Sequence, residues 1–90
     1  MSATLAVRHT VADYAAWRVV YDEVEEIRAK YGCTAQTVAS TPNDANDLFV
    51  THVFPTLADA NGFADDADFK AAMQRAGVTS APRIEIFTSV

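Results

Sequence analysis

The residues best suited to chemistry beyond packing are two histidines, a run of aromatics and one cysteine. His9, Tyr14, Trp17 and Tyr21 fall within "VRHTVADYAAWRVVYDEVEEI", residues 7 to 27, and His52 follows in "LFVTHVF", residues 48 to 54. A histidine with an ordinary pKa of about 6.5 can accept a proton at neutral pH. A phenol can hydrogen-bond a ligand oxygen, and an indole can form a stacking wall. Together they suit an electron-rich aromatic molecule held in a dry cavity, deprotonated and left open to oxygen. His9 or His52 would be the base, Tyr14 or Tyr21 the phenol and Trp17 the wall. Each also has a structural reading. A lone strand histidine is commonly a satisfied core or rim residue, and a tryptophan at helical spacing is commonly core.

Other chemistries are poorly supplied. Two histidines could ligate zinc or copper only with further ligands, and no HxH or HxxxH spacing supports them. The three glycines, at 32, 62 and 77, form no phosphate loop, so no nucleotide cofactor is expected, and no cofactor of any kind is assigned. No Ser-His-Asp or Cys-His arrangement is evident from spacing. The single cysteine, Cys33, lacks a partner for an intramolecular disulfide or a CxxC metal motif, and reads as a small buried residue.

The elements that must position these residues follow from periodicity. "TLAVRHT", residues 4 to 10, alternates as a strand, with Leu5, Val7 and His9 on one face. Asp13 is placed to cap a helix. Tyr14, Trp17, Tyr21, Val24, Ile27 and Tyr31 then form one apolar stripe along a helix of about 27 Å. The opposite face offers the i,i+4 pairs Arg18–Asp22 and Glu26–Lys30, and Gly32 closes the helix. "CTAQTVAS" suggests an edge strand, "TPNDAND" a loop, and "LFVTHVF" the strongest strand, with Leu48, Val50, His52 and Phe54 on one face. Thr56 can cap a second helical region, interrupted near residues 62 to 66, where Asp65 or Asp66 could re-cap it. In its second segment Phe69, Ala72, Met73 and Ala76 share a face, and Gly77 ends it. "PRIEIFTSV" closes as a strand.

The order β-α-β-β-α-β predicts an α+β, ferredoxin-like domain over residues 1–90, with a four-stranded antiparallel sheet and both helical regions on one face. The other face would carry Phe49, Val53 and Phe87 bare, so two sheets are expected to pack face to face in a homodimer. Arg8 and Glu85 could pair on that face. The first and third strands lie side by side at the centre. Read as parallel neighbours, their C-terminal ends share one edge, which brings His9 and His52 together near Tyr14 and Trp17.

The net charge of −5 and the scattered basic residues argue against nucleic-acid and anionic membrane partners. No signal-peptide pattern and no apolar run of membrane-spanning length are evident, which suits a reducing cytoplasm.

The βαββαβ order, the "YGC" after the first helix and "FPTLADANGFADDADFKAAM" resemble the antibiotic biosynthesis monooxygenase family, a branch of the dimeric α+β barrel superfamily, over about residues 4 to 88. The resemblance implies a ferredoxin-like subunit paired into a barrel, and possible cofactor-independent monooxygenase activity on an aromatic or polyketide-like molecule. Other members of the family bind ligands, so a non-catalytic dimeric binding or accessory protein is the alternative. Quinol-oxidising relatives carry a tryptophan and two histidines at positions that align with Phe54, Phe63 and Asp68. Residues 56 to 77 lack the tryptophan and the histidine ligand of the haem-degrading branch. "HTVADYAAW" is similar to a subset with a His-x-Val-x-Asp-Tyr-x-x-Trp junction. The implied substrate wall is Tyr14, Trp17, Tyr21, Phe54 and Phe63, with His9 and His52 as catalytic candidates.

Overall fold

The computed structural model describes residues 2–90. Its strands are β1 (Ala3–Thr10), β2 (Ala35–Thr41), β3 (Asp44–Phe54) and β4 (Arg83–Thr88), and its helices are α1 (Tyr14–Glu23), α2 (Glu25–Lys30), α3 (Leu57–Asp65) and α4 (Ala67–Arg75). The strands form one antiparallel sheet in the order β2-β3-β1-β4. The ferredoxin-like α+β fold expected from the element order is the one observed.

Period-2 alternation sorts the sheet into two faces. Leu5, Val7, Leu48, Val50 and Phe54 are buried against the helices with Trp17, Tyr21, Phe63 and Phe69. On the other face, Phe49 is 41% and Phe87 56% exposed in the isolated chain. Arg8 does not pair with Glu85 there. The register sets Ala6 opposite Glu85 and Arg8 opposite Arg83. Arg8 instead reaches Asp47 at 2.9 Å, and Glu85 reaches Arg83 at 2.9 Å.

The caps behave as side-chain chemistry dictates. Asp13 accepts the Ala16 N–H, Thr56 accepts the Asp59 N–H, and Asp66 accepts those of Asp68 and Phe69. Gly32 and Gly77 take φ of 77° and 78°, the left-handed conformation a helix C-terminus asks of glycine.

Several local expectations need correction. The first helix is not continuous. It breaks at Val24, where the Tyr21 carbonyl accepts from the Val24 N–H at 3.3 Å and from the Arg28 guanidinium at 2.8 Å. A side chain drawn into the backbone ladder in this way kinks a helix. Lys30 pairs with Asp66 at 3.5 Å rather than with Glu26. The loop at "TPNDAND" shrinks to a turn at Pro42 and Asn43, because β3 begins at Asp44 and pairs with Thr41 past a β-bulge. Asn46 then has a further task, since its side-chain oxygen accepts the Tyr14 N–H at 2.8 Å. Cys33 is half-buried rather than core, with its thiol 3.3 Å from the Ala35 carbonyl.

Candidate functional site

β1 and β3 run antiparallel, so the expected edge shared by their C-terminal ends does not exist. His9 stands opposite Leu48 and His52 opposite Leu5, with the Val7–Val50 pair between them. The four-residue offset separates the two histidines by about 13 Å along the strands. The shared face survives the correction. Both histidines point toward the helices, and both line one cavity.

That cavity has a floor of Val7, His9, Val50 and His52. Trp17, Val20, Tyr21 and Val24 of the first helical run form one wall, and Phe69, Ala72, Met73 and Ala76 form the other. Helical spacing at 17, 20, 21 and 24 and at 69, 72, 73 and 76 is what brings these side chains to the inner faces. The space is about 40 Å³. That is room for roughly one to three waters, far below the roughly 300 Å³ of a small-molecule pocket. A ring-sized ligand therefore enters only if the two helical walls part. The half-buried Val20 and the flexible Met73 are the side chains with freedom to yield.

His9 is 6% exposed, and neither of its ring nitrogens has a hydrogen-bond partner. Its ring lies 5.9 Å from that of Trp17. Burial, helped by the Arg8 charge, lowers its pKa, so the imidazole is neutral at pH 7 with a free lone pair. An unpartnered buried polar group of this kind costs about 1–3 kcal/mol.

His52 is 2% exposed and differs from His9 in its partners. Its Nε2 lies 3.2 Å from the Tyr21 hydroxyl, while its Nδ1 has none. Burial, with the nearby Arg28 charge second, pushes its pKa down to about 4. It is thus a weak base at neutral pH, and of the two histidines His9 is better suited to accept a proton. Tyr21 stacks between Trp17 at 4.9 Å and His52 at 5.9 Å.

The remaining candidates divide. Trp17 and Tyr21 line the cavity, but Tyr14, Phe54 and Phe63 do not. Tyr14 stacks on the far side of Trp17 and borders a separate groove with Val38 and Leu48. Phe54 and Phe63 are fully buried, and Phe63 supports the His52 ring from 5.1 Å. Sequence reasoning passed over Arg28, which is 3% exposed and sits 4.2 Å from the centre of the Tyr21 ring. The signal was present, because 28 continues the 17, 21, 24 stripe. A charged residue on an apolar stripe marks a place to look.

This arrangement sits on a known scaffold. No family model matches the sequence, and no curated protein matches it. Solved structures do. The cofactor-independent oxygenase SnoaB from Streptomyces nogalater superposes with a TM-score of 0.77 at 18% identity, over 99% of this chain and 93% of that one. A proposed antibiotic biosynthesis monooxygenase from Caulobacter crescentus gives 0.79 at 19% identity, over 99% and 90%. One from Bordetella bronchiseptica gives 0.80 at 12%, over 99% and 97%. The chain has the fold of the antibiotic biosynthesis monooxygenases. Identities this low establish the fold and leave the chemistry to the residues themselves. Among the described residues, no helix is long and apolar enough to cross a membrane.

Proposed function

We propose that this chain is the subunit of a homodimeric, cofactor-independent monooxygenase acting on an aromatic or polyketide-like molecule in the cytoplasm. The observation that carries the reading is His9, buried and neutral in the floor of an apolar cavity with both ring nitrogens unpartnered. His9 takes the proton of an acidic hydroxyl or activated CH group. Trp17 stacks on the ligand ring, and His52, held by Tyr21, binds a ligand oxygen at the other end. The apolar walls exclude water from the resulting carbanion or enolate. Oxygen adds to its carbon to form a hydroperoxide, whose O–O bond breaks as water leaves, so one oxygen atom stays as a new carbonyl and the substrate supplies all the electrons. The homodimer forms through the open sheet face, covering Phe49 and Phe87.

One observation favours a second reading, a non-catalytic ligand-binding or accessory module. Phe54, Phe63 and Asp68 stand where the resemblance would place the tryptophan and two histidines of quinol-oxidising members. The two readings separate in one experiment. Anthrone and substituted hydroquinones are offered to the protein in an oxygen electrode cell, with thermal shifts recorded in parallel. Oxygen uptake supports the enzyme. Thermal stabilisation without uptake supports the binding module.

A further inference from the structure

Arg28 is a charge in an unusual place. It is 3% exposed and takes part in none of the ion pairs among the described residues. Its Nε has no partner, its NH1 donates to the Tyr21 carbonyl at 2.8 Å, and its guanidinium lies over the Tyr21 ring. Leaving a buried cation without a carboxylate is costly. The guanidinium thus meets Tyr21 twice, once at the backbone and once at the ring.

Tyr21 passes this restraint on. Its hydroxyl meets His52 Nε2 at 3.2 Å, and no other partner is recorded for that hydroxyl. The bond can run in either direction. If His52 donates, the Tyr21 hydroxyl hydrogen and the Nδ1 lone pair are left unpaired. If Tyr21 donates, the Nδ1 hydrogen and the Tyr21 oxygen lone pairs are left. The counts are equal, so donor strength decides: a phenol O–H, with an ordinary pKa of about 10, is a far better donor than a neutral imidazole N–H, and the imidazole nitrogen is the better acceptor. A cation over the ring also draws electron density from the phenol and makes it the better donor.

We propose that Arg28 is a positioning residue that acts through Tyr21 to fix His52 as its Nδ1–H tautomer, so that His52 donates a hydrogen bond to a ligand oxygen while His9 accepts the proton. The proposal rests on reading the cavity as a ligand site. It assigns the two histidines opposite roles: His9 is the acceptor, and His52 offers an N–H to a carbonyl or phenolate oxygen. The ligand class follows. It carries an acceptor oxygen at one end of an apolar frame and an acidic proton toward the other. The neutrality of His52 at pH 7 is consistent with this, since a protonated ring has no tautomer to fix.

The chain has only two histidines, so nitrogen-15 NMR of histidine-labelled protein reads both rings directly. In the intact protein at pH 7, His52 should show a protonated Nδ1 and an unprotonated Nε2, by at least ten to one. Arg28→Met should weaken that preference several-fold without erasing it, and Arg28→Lys should restore most of it. A protonated Nε2 in the native protein overturns the proposal, as does an unchanged ratio in a folded Arg28→Met. Should Arg28→Met not fold, Arg28→Gln makes the same test: losing the charge should weaken the preference, and an unchanged ratio overturns the proposal. Anthrone added under nitrogen then tests the donor role. A shift of the Nδ1 signal supports it. Binding that moves only the His9 signals overturns the donor role alone, and no perturbation of either ring overturns the cavity reading with it.

Discussion

His9 and His52 face one cavity from opposite ends of an antiparallel strand pair, His9 opposite Leu48 and His52 opposite Leu5. The two rings also differ in company. His9 stands alone beside Trp17, whereas His52 is tied to Tyr21. A ligand spanning the Val7–Val50 floor meets a free lone pair at one end and a hydrogen-bonded ring at the other.

The depressed pKa of His52 makes stability pH-dependent. The folded state holds the ring neutral down to about pH 4, while the unfolded chain protonates it near 6.5. The unfolded state therefore binds more protons between these values. The stability contributed is fully present above pH 6.5 and is lost as pH falls toward 4, reaching about 3 kcal/mol. Urea denaturation at pH 7, 5.5 and 4.5 should show a steeper loss in the native protein than in His52→Gln. Parallel pH profiles for the two would contradict this assignment.

The open sheet face makes a prediction about assembly. Phe49 and Phe87 are exposed in a chain of 9.7 kDa, and a symmetric partner would cover them. Sedimentation at micromolar concentration should give about twice the chain mass, and Phe87→Asp should return it to the single-chain value. A native protein sedimenting at 9.7 kDa removes the dimer.

Gly62 is required by packing rather than by backbone conformation. A Cβ there would lie 2.8 Å from Tyr31 Cε1, on a ring whose hydroxyl is held by Asp66 at 2.7 Å. Gly62→Ala gains about 1 kcal/mol of helix propensity and meets about 1–3 kcal/mol of overpacking. Thermal denaturation should show a net loss of about 1 kcal/mol, diminished in a Tyr31→Ala background. A stabilised Gly62→Ala would mean that the Tyr31 ring yields freely.

Much of this fold was legible in the sequence because local rules and the tertiary structure agree. Period-2 alternation placed His9 and His52 on the buried face, and Asp13, Thr56, Gly32 and Gly77 marked helix ends by chemistry that acts within a few residues. Strand direction was legible too: the antiparallel sheet expected from the element order sets β1 against β3, and reading them as parallel neighbours ran against it. The site itself divided. Trp17 and Tyr21 were found by their spacing and line the cavity, whereas Tyr14, one turn earlier, falls outside it. Arg28 was missed because the stripe was followed through its apolar members, Val24, Ile27 and Tyr31, and a charge was not sought on it. The cavity's small volume depends on how Val20, Met73 and Phe69 fill it, which no spacing rule supplies.

Oxygen uptake by the native protein and by His9→Ala, with anthrone as substrate at pH 7, is the most direct test. The His9 side chain makes no hydrogen bond, so its truncation should leave the fold intact, as circular dichroism would verify. The native protein should consume oxygen, and His9→Ala should lose about 10²–10⁴-fold in kcat/KM, the scale of a missing general base. Uptake by a folded His9→Ala equal to that of the native protein would contradict the mechanism.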